Sequence, residues 1–120
     1  MANKKRVLIV EDEKPLAHAL SLKLTNAGFA VTNAENGQEA LDLLEKGTFE
    51  VVLLDLMMPV LDGFQVLERL KAKGDMPYII VLSNLSQRVD EDRVLALGAK
   101  KYFIKSDISL SDVVDEATKA

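Results

Sequence analysis

Short aliphatic runs alternate along the chain with stretches whose apolar residues recur at helical spacing. The runs are Arg6–Val10, 29–32, Val51–Asp55, 78–82 and Lys101–Ile104. In the central one, Val51 to Leu54 and Leu56 are aliphatic, the single acid Asp55 interrupts them, and Met58-Pro59 closes the stretch. A continuous apolar run of this length reads as a strand buried on both faces of a parallel sheet. The run at 29–32 is less apolar and belongs at an edge.

The intervening stretches predict helices. Pro15 suits a first helical turn, where its missing N–H costs nothing. Leu16, Leu20, Leu24 and Ala27 follow at helical spacing, and Gly28 stands where a C-terminal cap belongs. Gly37 introduces a second helix carrying Ala40, Leu41 and Leu44, ended by Gly47. Asp62, with Gln65 three residues on, is a variant of the capping box; it opens a helix with Phe64, Leu67 and Leu70 on its apolar side and Gly74 at its end. A more polar helix is expected over 88–97, its thin apolar face made of Val89, Val94 and Leu97, with Gly98 as its stop. Ser109 and Asp112 open the last helix, where Leu110, Val113, Val114 and Ala117 share a face.

Glycine placement and hydrophobic period agree on a five-fold βα alternation. That alternation implies a doubly wound α/β fold: a parallel sheet with helices on both faces and right-handed crossovers. A chain of 120 residues makes one domain, 1–120. With 48% hydrophobic and 28% charged residues, it has the composition of a soluble globular protein rather than a disordered one. A net charge of −4 argues against non-specific nucleic-acid binding. The absence of cysteine removes disulfides and thiolate metal sites and suits a reducing compartment. No apolar stretch is long enough for a signal peptide or a membrane span, so the expected location is cytoplasmic.

In open α/β sheets, ligands bind outside the carboxyl ends of the strands. The polar residues there are Glu11 and Asp12 after the first run, Asp55 at the third, Ser83 at the fourth and Lys105 at the fifth. Taken singly, each has a plainer role. The acids at 11–13 suit a helix N-terminus, Ser83 a loop hydroxyl, Lys105 a solvated strand end, Tyr102 a β-forming residue, and Met57 and Met58 loop packing. Taken together, three acids against one lysine leave a net negative site suited to a divalent cation. Oxygen ligands without His or Cys point to a hard ion, Mg2+ or Mn2+.

These residues, in this order and at these strand ends, resemble the response-regulator receiver domains, the CheY-like family of bacterial phosphorelays. The resemblance rests on Glu11-Asp12, on Asp55 within Leu-Asp-Leu-Met-Met-Pro-Val-Leu-Asp-Gly, on Ser83, and on Lys105 closing Gly98-Ala-Lys-Lys-Tyr102-Phe-Ile-Lys105. It covers essentially the whole chain and implies a flavodoxin-like sheet of strand order 2-1-3-4-5. It further implies that Asp55 accepts a phosphoryl group from a histidine kinase, a phosphotransfer protein or a small donor such as acetyl phosphate. Asp12 and Asp55 would hold Mg2+ directly, Glu11 through a water, and Met57 through its backbone carbonyl. Lys105 would pair with Asp55 and then with a phosphoryl oxygen. Ser83 would donate its hydroxyl to the phosphoryl group, and Tyr102 would turn inward in response. The surface read by a downstream protein would be formed by 88–97, Lys101–Ile104 and 110–117.

Three departures from the family stand out. Ser106 follows Lys105 where proline is usual. A cis bond before a non-proline residue costs roughly 3–4 kcal/mol, against about 0.5–1 kcal/mol before proline, so a trans peptide is expected here. Asn84 replaces a smaller residue, and Ser83 replaces threonine with the hydroxyl kept. On this reading the chain is not an enzyme beyond its own phosphorylation and dephosphorylation. A dehalogenase-like phosphatase would need a second Asp where Met57 stands, and a flavodoxin would need a hydroxyl- and glycine-rich loop in place of the acids after Val10. The alternative is a pseudo-receiver, an interaction module that works without phosphorylation, but its usual mark, loss of an acid, the hydroxyl or the lysine, is missing. Ala120 directly follows the last helix, so a stand-alone receiver or a domain cut from a longer chain is expected. The expected state is a monomer, with dimerisation on phosphorylation as the alternative.

Overall fold

The structure, a computed structural model, describes residues 4–74, 76–84 and 88–120, with backbone only at 88 and 89. Strands β1 (Arg6–Val10), β2 (Ala30–Ala34), β3 (Val51–Asp55), β4 (Tyr78–Ser83) and β5 (Lys101–Ile104) alternate with five helices. These are α1 (Lys14–Asn26), α2 (Gly37–Lys46), α3 (Gly63–Lys73), α4 (Arg88–Ala96) and α5 (Leu110–Thr118). The strands form one parallel sheet in the order β2-β1-β3-β4-β5. This is the expected doubly wound flavodoxin-like fold.

Strand alternation divides the core into two layers. Leu8, Val10, Val52, Leu54, Ile79 and Val81 face one side with Ala40, Val66, Leu67, Leu70 and Val94 from α2, α3 and α4. Val7, Ile9, Val51, Leu53, Ile80 and Leu82 face the other with Leu20, Leu24, Val113 and Ala117 from α1 and α5. All five residues of β3 are buried, as a central strand covered on both faces requires.

Several boundaries differ from expectation, each for a local reason. The edge strand covers Ala30–Ala34 rather than 29–32, because its residues pair one for one with Arg6–Val10 and an edge tolerates the polar Asn33. Phe29 is core just ahead of it. Helix α4 ends at Ala96, and the amides of Leu97 and Gly98 close it on Arg93, Val94 and Leu95 carbonyls. On α3, Val66 rather than Phe64 is buried with Leu67 and Leu70; the Phe64 ring lies under Arg93 of α4, whose guanidinium carbon is 4.1 Å from the ring centroid. Lys71 of α3 also donates to the Ala96 carbonyl at 2.8 Å. Helix α4, expected to be held only by a thin apolar face, is therefore tied to α3 by two polar contacts as well. The Val89 side chain, assigned to that face, lies outside the described residues.

The capping box of α3 forms as anticipated: Asp62 accepts from the Gln65 amide at 2.9 Å and Gln65 accepts from the Asp62 amide at 3.1 Å. Gly63 is required by close approach, since a Cβ there would lie 2.5 Å from the Asp55 carbonyl. Helix start and strand end are thus pressed together, which fixes the loop that follows Asp55.

Candidate functional site

Glu11, Asp55, Ser83 and Lys105 all arrive at the carboxyl edge of the sheet because their strands run parallel and end there. Asp55 is buried at the end of β3, and Glu11, directly after β1, is buried beside it. Asp12 is exposed at the mouth of the site. Each of these three acids offers one carboxylate oxygen, and the three oxygens lie within 4.8 Å of one another.

Lys105 Nζ crosses from the far side of the sheet to meet them. It stands 2.7 Å from Glu11 Oε1 and 3.1 Å from Asp55 Oδ2. Asp55 Oδ1 accepts from the Met57 amide at 3.1 Å. Glu11 Oε2 accepts from the Glu13 amide at 3.0 Å. Sequence reasoning gave Glu13 no role at the site, yet its carboxylate accepts from Lys105 at 2.7 Å. The signal that pointed to it was the third consecutive acid at the strand end.

The electrostatics follow from burial. Desolvation, then the facing Glu11 carboxylate, push Asp55 up to about 7, against the opposing pull of Lys105 and the Met57 amide. For Lys105, burial works against the charge. Close contacts with the Glu11 and Glu13 carboxylates, and then the charge of Asp55, outweigh that and hold its ammonium well above the ordinary lysine value. The surplus of negative charge fits a divalent cation, which would favour the ionised form of Asp55. Glu11 Oε1 supports the same fit: among the described residues it is the buried side-chain oxygen lacking an aligned hydrogen bond, and Lys105 reaches it only as an ion pair.

Ser83 is buried, and Tyr102 is half-buried against the core layer under α4. Burial, the larger influence, raises the Tyr102 phenol against the opposing pull of the neighbouring Ser83 hydroxyl. Met57 is exposed, as is Asn84. Lys105–Asp107 forms a 3-10 turn that the sequence did not suggest, and the Lys105-Ser106 peptide is trans, as expected.

Fold and site together define a signalling receiver, and the chain belongs to the response regulator receiver domain family, matched over residues 7–116. It is 39% identical over 105 residues to the "Probable transcriptional regulator ycf27" of Guillardia theta, covering 88% of this chain and 41% of that protein. The chain thus spans less than half the length of the curated relatives it matches. The receiver domain of the Francisella response regulator 1452 superposes with a TM-score of 0.92 at 28% identity, covering 97% of this chain and 95% of that one. Response regulator TrrA of Thermotoga maritima, solved in complex with Mg2+-BeF, gives a TM-score of 0.84 at 30% identity, with 96% and 97% covered. No helix among the described residues is long and apolar enough to cross a membrane.

Proposed function

We propose that Asp55 is the phosphoacceptor of a two-component phosphorelay and that residues 1–120 act as one receiver domain. The observation that carries this reading is the placement of the buried Asp55 carboxylate between the Lys105 ammonium at 3.1 Å and the Met57 amide at 3.1 Å. A carboxylate is a weak nucleophile, so its site must align it and absorb charge. Here Oδ1 and Oδ2 are each held by a donor, which fixes the plane of the group. An Asp55 oxygen forms the new O–P bond as the P–N bond of a phosphohistidine breaks, and the electron pair leaves with the imidazole nitrogen. With acetyl phosphate the P–O bond breaks and acetate leaves.

Phosphoryl transfer asks mainly for positioning and for stabilisation of the spread negative charge. Asp12, Asp55, Glu11 through water and the Met57 carbonyl would hold Mg2+, which supplies positive charge to the transferring group. That a relative was solved with Mg2+-BeF supports the same assignment. Lys105 would turn to a phosphoryl oxygen after transfer, and Ser83 would donate its hydroxyl to another. The partners on this reading are a histidine kinase or phosphotransfer protein and a downstream protein reading α4, β5 and α5, in the cytoplasm.

The test is intact mass after incubation with Mg2+ and acetyl phosphate. Wild type should gain one phosphoryl mass and Asp55→Asn none. Equal labelling of both would sink the assignment and favour a phosphorylation-independent interaction module.

A further inference from the structure

A lysine ammonium has three N–H donors, and in this protein three carboxylates face them. Glu11 Oε1 and Glu13 Oε2 each lie 2.7 Å from Lys105 Nζ, closer than Asp55 Oδ2 at 3.1 Å. The Lys105 side chain is only 8% exposed, while that of Glu13 is 55% exposed. Glu13 is the N-cap residue of α1, but its carboxylate caps no helix amide. Its contact is with Lys105, across the mouth of the site.

We infer that Glu13 is a positioning residue that competes with the phosphoryl group for Lys105 and so sets how readily Asp55 is modified. The inference rests on the reading of Asp55 as phosphoacceptor. A phosphoryl group on Asp55 brings new oxygens that need a donor from Lys105, and the ammonium must loosen its hold on one of the three carboxylates. Glu11 and Asp55 are buried, so releasing either would leave a desolvated carboxylate without its counter-charge, which is costly. Glu13 is more than half exposed, and water replaces the ammonium when it lets go. Glu13 is thus the partner that yields, and breaking its contact is a cost carried only by the modified state. Removing the contact in advance favours modification.

The experiment is titration of the protein with beryllofluoride in the presence of Mg2+, followed by amide chemical shifts, for wild type, Glu13→Gln and Glu13→Asp. Glutamine removes the charge and weakens the bond to Lys105. Aspartate keeps the charge but is one methylene too short to hold the same contact. Both variants should bind beryllofluoride about twofold to fivefold more tightly than wild type, the range an exposed ion pair supports. The side-chain ammonium signal of Lys105 should also shift in both variants before any beryllofluoride is added. Unchanged or weaker binding by Glu13→Gln overturns the competition. Wild-type affinity in Glu13→Asp together with a gain in Glu13→Gln overturns the contact and leaves a simple field effect. A wild type that binds no beryllofluoride overturns the Asp55 reading itself, an outcome distinct from both.

Discussion

Ser83 and Tyr102 are neighbours on the face of the sheet that α4 covers. Register explains the meeting: Val81 pairs with Tyr102 and Ser83 with Ile104, so Ser83 and Tyr102 project from the same side of neighbouring strands. The site hydroxyl and the aromatic of β5 are therefore one unit. A phosphoryl group that draws on Ser83 must act on Tyr102 at the same time. It can bias the surface only through its different interaction with the two arrangements. In wild type, beryllofluoride should move amide signals across α4, β5 and α5. In Ser83→Ala, the changes should stay within the loops around Asp55. A mutant that responds over the same face as wild type removes Ser83 from the switch.

Asp12 is exposed, while Glu11 and Asp55 are buried. Its removal should therefore cost the fold little, within about 0.5 kcal/mol, but should take a hard oxygen ligand from the cluster. Asp12→Ala should show a weakened Mg2+ titration with an unchanged melting midpoint in the absence of metal. An unaltered titration excludes Asp12 as a ligand.

Val60, in the loop after Asp55, has φ 70 and is 77% exposed. A β-branched residue in the left-handed region is a steric outlier, and such strain costs on the order of 1–3 kcal/mol. Glycine relieves the clash, although its freedom in the unfolded chain returns part of the gain. Val60→Gly should therefore raise unfolding stability by about 1 kcal/mol in denaturant titrations. A loss of stability would show that the Val60 backbone is not strained.

The Tyr78 hydroxyl donates to Glu116 Oε2 at 2.5 Å, joining β4 to α5. Glu116 is buried, and this bond, aided by Lys119, holds its carboxyl below the ordinary glutamate range. Tyr78→Phe should destabilise the protein by about 1.5 kcal/mol at neutral pH. The sign of the pH dependence follows from the depressed carboxyl. Its contribution is complete above the unfolded glutamate value and is lost as pH falls through the folded value. The gap between wild type and mutant should accordingly close in acid, below about pH 4. A gap constant from neutral pH to pH 3 would assign the loss to packing instead.

Much of this protein follows from its linear order. A strand buried on both faces must be continuously apolar, so β3 and β4 are legible, and a single acid at the end of β3 stands out. Parallel βα alternation brings every strand end to one edge, which makes Glu11, Asp12, Asp55, Ser83 and Lys105 neighbours before any coordinate is known. The capping box at Asp62 and Gln65 is local, and it too is read directly.

What the fold alone decides are contacts between elements distant in sequence, where nothing local selects the partner. Lys105 meets Glu13 across 92 positions, and Tyr78 meets Glu116 across 38. The tie of α4 to α3 through Arg93 over Phe64 and Lys71 on Ala96 depends on helix rotation, which a thin apolar stripe leaves undetermined. The end of β2 at Ala34 was set by pairing with β1 rather than by its own polar residues. Side-chain chemistry and periodicity act over a few residues and are written in the sequence. Which long polar side chain reaches which carboxylate depends on packing distances that exist only once the sheet and its helices are assembled.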